Sequence, residues 1–209
     1  MIILTAGHTG AGTGAQCAET HFDEGAENIW LRNRIAEILT NKYNLIVLID
    51  NDHASLQLLT KKLNNPKITE TEATRILSPC LRGTSSKSGG GSFLTPHSSF
   101  LIDIHFNAHT NPNARGTEAI VSDNATTIEL RFATRLAHAT AEALEIPLRS
   151  IKSETQTPHR RLAMLHLTPQ SIILEICFCT SPDDVEAYRQ HREQLAETLA
   201  KNIAELITP

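Results

Sequence analysis

Four nearly unbroken apolar runs punctuate this chain, with stretches between them that are long enough to hold helices. They are Met1–Ala6 (MIILTA), Leu45–Ile49 (LIVLI), Phe100–Phe106 (FLIDIHF) and Ser171–Phe178 (SIILEICF). Short runs without polar alternation read as strands buried on both faces, as in parallel sheets covered by helices. The segments between them carry helical spacing instead. Glu24–Leu39 places Ile29, Ile35, Ile38 and Leu39 on one side, and Thr126–Leu144 does the same with Leu130, Ala133, Leu136, Ala137, Ala141 and Leu144. Thr117–Val121 adds a strand, Ser55–Leu63 a polar helix and Pro182–Ile207 a C-terminal helix. The alternation predicts an α/β fold: a single three-layer domain with a mixed, mostly parallel sheet flanked by helices.

A chain of 209 residues with 40% apolar and 20% charged residues is long enough for one domain with a sizeable core. We read residues 1–209 as one domain with an insertion at about 64–99, whose Gly/Ser-rich part is RGTSSKSGGGS (Arg82 to Ser92). The net charge of −4 gives no basic face for nucleic acid. No window has the roughly 18 apolar residues of a membrane helix, so membrane insertion is not expected. The apolar start lacks a basic flank and a long hydrophobic run, so the chain as given is expected to carry no signal peptide. Cys17, Cys80, Cys177 and Cys179 include no C-x-x-C pair and are expected as buried thiols; Cys177 and Cys179 would share one strand face. The sequence leaves the oligomeric state open.

Three ionisable residues sit where an apolar strand should end or continue. His8 follows the first run, His105 lies inside FLIDIHF, and Glu175 lies inside SIILEICF. A carboxylate in a buried strand is costly unless it is paired, metal-linked or protonated. The carboxyl ends of strands are where α/β sheets gather their ligand sites. Each residue also has an ordinary reading: a loop histidine, a satisfied core histidine, or a glutamate paired with Arg149 or Arg161.

Five motifs in order carry a resemblance. The first strand ends in A-G-H (Ala6, Gly7, His8). Next, E-x-x-x-N plus an apolar residue opens a helix (Glu24, Asn28, Ile29). A strand then carries I-H-x-N-A (Ile104, His105, Asn107, Ala108), followed by G-x-E (Gly116, Glu118). Last comes a proline before L-E-x-x-F (Pro169, Leu174, Glu175, Phe178). In combination these resemble the zinc-dependent N-acetylmuramoyl-L-alanine amidases of the amidase 3 family, over nearly the whole chain. The resemblance implies zinc held by His8, Glu24 and His105 at the strand carboxyl ends, with Glu175 as the catalytic carboxylate. It implies peptidoglycan or a muropeptide as substrate, and action at the cell wall, as a phage-type lysin or after removal of a signal. Two imidazoles and a carboxylate with one open position are a usual catalytic zinc set. Glu27, one helical turn on, is the alternative to Glu24; for either, the ordinary reading is acidic charge at a helix N-terminus. Asn107 and Glu118 are candidates for substrate contact or for supporting the ligands, with a strand-end turn and a solvated strand residue as their ordinary readings. His109 could line the cleft.

The sequence departs from the family pattern at Asp103, where a serine is usual, at Leu148-Arg149-Ser150, which only faintly echo a substrate segment, and at Thr180-Ser181. Two other functions compete: a zinc peptidase or other amide hydrolase on a similar fold, and a non-catalytic cell-wall binding module. No H-E-x-x-H supports the first, and a spare carboxylate beside a His-Glu-His set argues against the second.

Overall fold

The computed structural model describes residues 2–8, 12–49, 99–111, 113–168 and 170–207. The expected helix at Ser55–Leu63, nearly all of the insertion at 64–99, Cys80 and Pro169 lie outside the described residues.

The strands form a six-stranded sheet. β1 (Ile2–Ala6) pairs in parallel with β4 (Val47–Ile49) and β5 (Phe100–Asn107), and β5 pairs in parallel with β8 (Ser171–Phe178). β6 (Thr117–Val121) runs antiparallel to β8, and β7 (Leu148–Ser153) runs parallel to β6 along the edge. The order is β4-β1-β5-β8-β6-β7, so the sheet is mixed and mostly parallel, as expected. A separate two-stranded ribbon joins β2 (Gln16–Cys17) to β3 (Phe22–Asp23).

Helix α1 (Glu24–Tyr43) begins at Asp23, whose carboxylate accepts from the Ala26 N–H, and ends at Asn44 in the left-handed region with φ 53°. Helix α2 (Thr127–Leu144) opens on a reciprocal cap between Thr126 and Glu129. Helix α3 (Pro182–Ile207) packs against both. Their apolar faces share one core with Ile2, Leu4, Ile102, Ile104, Ile172 and Leu174. Strand residues alternate faces, so the odd-numbered partners Thr5, Asp103, His105, Ile173 and Glu175 look the other way. That second face has a smaller cluster of Ile120, Leu165 and Ile173 beside the 3-10 turn Ala163–His166. No described helix is long and apolar enough to cross a membrane.

Three strands are not predicted by the sequence. Ribbon β2–β3 has only two residues per strand, too short for a period. Strand β7 lies on the sheet edge and is half-buried along most of its length, so LRSIKS has no apolar run to reveal it. The cysteine expectation needs one correction. Cys177 and Cys179 are buried, but Cys17, at the end of β2, is only half-buried.

Candidate metal centre and active site

The site assembles where β1 and β5 end and α1 begins. β5 outruns β1, whose last pair is Ala6 with Ile104, so His105 emerges past the end of its neighbour. The Gly7 N–H donates to the Ile104 carbonyl at 2.8 Å, which turns the chain after β1 across the His105 ring. A Cβ at Gly7 would lie 2.0 Å from His105 Nε2, so no larger residue fits beneath that imidazole. Gly14 has φ +76°, and a Cβ there would lie 2.6 Å from both Glu24 Oε2 and His8 Cδ2.

Glu24, the first residue of α1, is almost fully buried. Its Oε2 accepts from the Ala15 N–H at 2.7 Å and its Oε1 from the Phe106 N–H at 3.2 Å. His105 Nδ1 is 3.4 Å from Oε1, and His8 Nε2 is 3.7 Å from Oε2. Ligand atoms of His8, Glu24 and His105 all lie within 4.8 Å of one another. Burial opposes charge on Glu24, but bonds from His105 and Ala15 outweigh it and hold the carboxyl below its ordinary value. The donor set fits zinc: two imidazole nitrogens, one carboxylate oxygen and an open side towards the half-exposed His8. The two glycines leave the room that such a cluster needs.

Asp103 completes this arrangement from behind. It is fully buried, and the Thr5 hydroxyl donates to its Oδ1 at 2.6 Å. Its Oδ2 lies 3.1 Å from His105 Nε2. A carboxylate can only accept, so Nε2 carries a proton, and once the imidazole is neutral Nδ1, on the Glu24 side, is the nitrogen left with its lone pair. Burial disfavours a charged His105, but Asp103 and Glu24 outweigh it and push the imidazole well above its ordinary value. The sequence reading treated Asp103 only as a changed neighbour. The signal was present, since Asp103 and His105 are two apart on a strand and so share a face.

Glu175 lies opposite His105 in the β5–β8 pairing and opposite Glu118 in the β6–β8 pairing. Its Oε2 is shut off from solvent and has no hydrogen-bond partner among the described residues. Burial pushes its carboxyl up to about 7, with Glu24 and Glu118 repelling its charge as well. Neither arginine suggested for it is its partner: Arg149 Nε donates to Glu118 Oε1 at 2.8 Å. Lys152 donates to Glu118 Oε2 at 2.5 Å and Asn107 Nδ2 to the same oxygen at 3.0 Å. Burial resists ionisation of Glu118, but Lys152 and Arg149 hold it below its ordinary value.

The family model for N-acetylmuramoyl-L-alanine amidases, amidase 3, matches residues 2–208. The chain belongs to this family. Solved structures agree on the fold. An amidase of this name from Clostridium difficile 630 superposes with a TM-score of 0.66 at 19% identity, covering 98% of this chain and 95% of that one. AmiC2 of Nostoc punctiforme gives 0.64 at 16% identity over 98% and 96%. Ami1 from Mycobacterium smegmatis gives 0.63 at 16% over 99% and 96%. No curated protein sequence matches the chain.

Of the residues singled out in the sequence, His8, Glu24 and His105 cluster, Glu175 faces His105 across the sheet, and Asn107 is bonded to Glu118. Glu27 stands apart: it accepts from the Tyr188 hydroxyl at 3.0 Å and pairs with Arg192. His109 Nδ1 accepts from the Asn111 N–H at 2.9 Å within an exposed turn. At the two departing positions after β8, the Thr180 hydroxyl accepts from the His109 N–H at 3.1 Å and the Ser181 hydroxyl from the Asp184 N–H at 3.3 Å. Lys152 was missed because it lies on the unrecognised strand β7.

Proposed function

We propose that this chain uses zinc, held by His8, Glu24 and His105, to hydrolyse the amide between the lactyl group of N-acetylmuramic acid and L-alanine in peptidoglycan or muropeptides. The observation that carries the reading is the orphaned, shut-off oxygen of Glu175 beside a His-Glu-His cluster. Such an oxygen is costly to a fold and is kept where chemistry uses it.

Bound at that cluster, zinc would lower the pKa of a water towards about 7 and polarise a carbonyl. Glu175, with its own carboxyl near 7, is matched to accept that water's proton and deliver it to the leaving alanine nitrogen. Glu24 stays anionic through its two backbone donors and balances the metal's charge. His105 is fixed in orientation and tautomer by Asp103. Asn107, tied to the anchored Glu118, presents an amide at the rim for substrate. Arg149, half-exposed beside Glu118, offers a cation to the carboxylates of the stem peptide. The cell wall is then the place of action, reached as a phage-type lysin or after removal of a signal.

The test is zinc content and muropeptide cleavage on the same samples. We expect about one zinc per chain, lost in His105→Ala, and release of peptide that stops with a chelator. Glu175→Ala should keep its zinc and lose turnover. Cleavage of plain peptides but not of muropeptides points to a general zinc peptidase. Wall binding without zinc or product points to a binding module.

A further inference from the structure

Cys17 ends β2, and Cys179 immediately follows β8, the strand that carries Glu175. Their sulfurs are 2.7 Å apart, although the residues are 162 positions apart in sequence. A disulfide bond spans about 2.05 Å, and unbonded heavy atoms rest at roughly 3.5–4.0 Å. The pair is therefore a small displacement from bonding.

The backbone brings the two together without help from the sulfurs. The Thr20 hydroxyl donates to the Cys179 carbonyl at 2.8 Å and reaches the Cys17 carbonyl at 3.4 Å. Arg189, from α3, donates to the Thr20 carbonyl at 2.9 Å. The Cys179 N–H donates to the Asn107 carbonyl at 2.8 Å. Contacts from β5 and α3 thus hold both residues in register.

We propose that Cys17 and Cys179 are a disulfide site, closed by exchange with an oxidising small-molecule or protein disulfide. Cys17, the more accessible, attacks as its thiolate. One oxidant sulfur leaves as a thiolate, and a mixed disulfide forms on Cys17. Cys179 then gives up its proton and attacks the Cys17 sulfur, releasing the second oxidant thiolate. Two protein thiols lose two electrons, one oxidant disulfide becomes two thiols, and the protons end on those thiols. Burial, with the neighbouring Cys17, holds the Cys179 thiol far above its ordinary value, so this second step quickens as pH rises.

The position gives the cross-link its consequence. Two residues before Cys17, the Ala15 N–H holds Glu24, and the ribbon runs directly into the Asp23 cap and Glu24 itself. The bond ties this ribbon to the end of the strand bearing Glu175. The site would form in an oxidising compartment and stay open in a reducing one.

The experiment reads mass rather than turnover, so it is independent of the amidase reading. The full chain is reduced, freed of reductant, equilibrated with oxidised glutathione at pH 8, and alkylated under denaturing conditions. Non-reducing peptide mapping should then recover Cys17 and Cys179 in one linked pair, unaffected by Cys177→Ser and abolished by Cys17→Ser. Melting of the cross-linked form should rise by about 5–10 °C over the reduced form. The proposal is overturned by Cys17 recovered alkylated or still carrying glutathione, by its linkage to Cys80 or Cys177, or by a linked form that melts no higher.

Discussion

Replacing Glu175 by glutamine should abolish turnover and yet stabilise the metal-free protein, and the gain should depend on pH. The carboxyl rises from 4.5 to about 7 on folding. Between those values the folded chain holds a proton that the unfolded chain has released. Stability from this group is therefore fully present below pH 4.5 and is lost as pH climbs to 7. Above pH 7 the native state holds an ionised carboxylate in a site that opposes it, at a cost of about 3 kcal/mol relative to the unfolded chain. Glutamine has nearly the shape of the protonated acid and never ionises. In urea unfolding of chelator-treated protein, Glu175→Gln should gain about 3 kcal/mol at pH 8 and less than about 1 kcal/mol at pH 5. Bound zinc should narrow the gain, because a nearby cation favours the carboxylate. Turnover of muropeptides should fall by roughly 10²–10⁴-fold. A gain of equal size at both pH values, or a loss at both, refutes the argument that burial of this carboxyl sets its behaviour.

Asp103→Asn keeps the shape but turns an amide towards His105 Nε2, which favours the wrong tautomer; zinc affinity by chelator competition should fall about 10–100-fold with an unchanged circular dichroism spectrum. A ¹⁵N spectrum of metal-free protein at high pH should show the proton moving from Nε2 to Nδ1. In Gly7→Ala, the new methyl overlaps the His105 ring and should weaken zinc at least about tenfold; unchanged affinity would mean the ring has room to move. Glu118→Gln removes a charge that repels Glu175 and frees Lys152 to attract it. The acid limb of kcat/KM should therefore shift to lower pH, and an upward shift would contradict this.

The core strands were readable because IILTA, FLIDIHF and SIILEICF are buried on both faces. Strand β7 and ribbon β2–β3 were not. Strand β7 pairs on one side only, so its sequence is not forced to be apolar, and ribbon β2–β3 is set by backbone bonds rather than by side-chain period. His8, His105 and Glu175 announced themselves by breaking apolar context, which is where an ionisable group is most expensive. Glu24 did not, because acidic residues at a helix start are common, and only the resemblance separated it from Glu27. In three dimensions the separation is plain: Glu24 points at two backbone amides and two imidazoles, whereas Glu27 points at Tyr188 and Arg192. The meeting of Cys17 and Cys179 was out of reach, since no local pattern encodes a contact across 162 positions.

Two glutamates face each other across β6 and β8, and the fold treats them oppositely. Glu118 is given Lys152, Arg149 and an Asn107 amide, so it stays ionised despite burial. Among the described residues Glu175 has no partner for one oxygen, and burial, with repulsion from Glu24 and Glu118, outweighs the attraction of His105 and pushes its carboxyl up to about 7. Two glutamates pushed apart in this way suit the proposed division of labour, with one fixed charge and one proton carrier. The division also explains why the second face of the sheet can host the site. The helices bury the even-numbered residues of β5 and β8, leaving Asp103, His105 and Glu175 together on the other side. There Asp103 bonds His105, and His105 stands opposite Glu175 on the neighbouring strand, the placement that the proposed roles of orienting, ligating and moving a proton require.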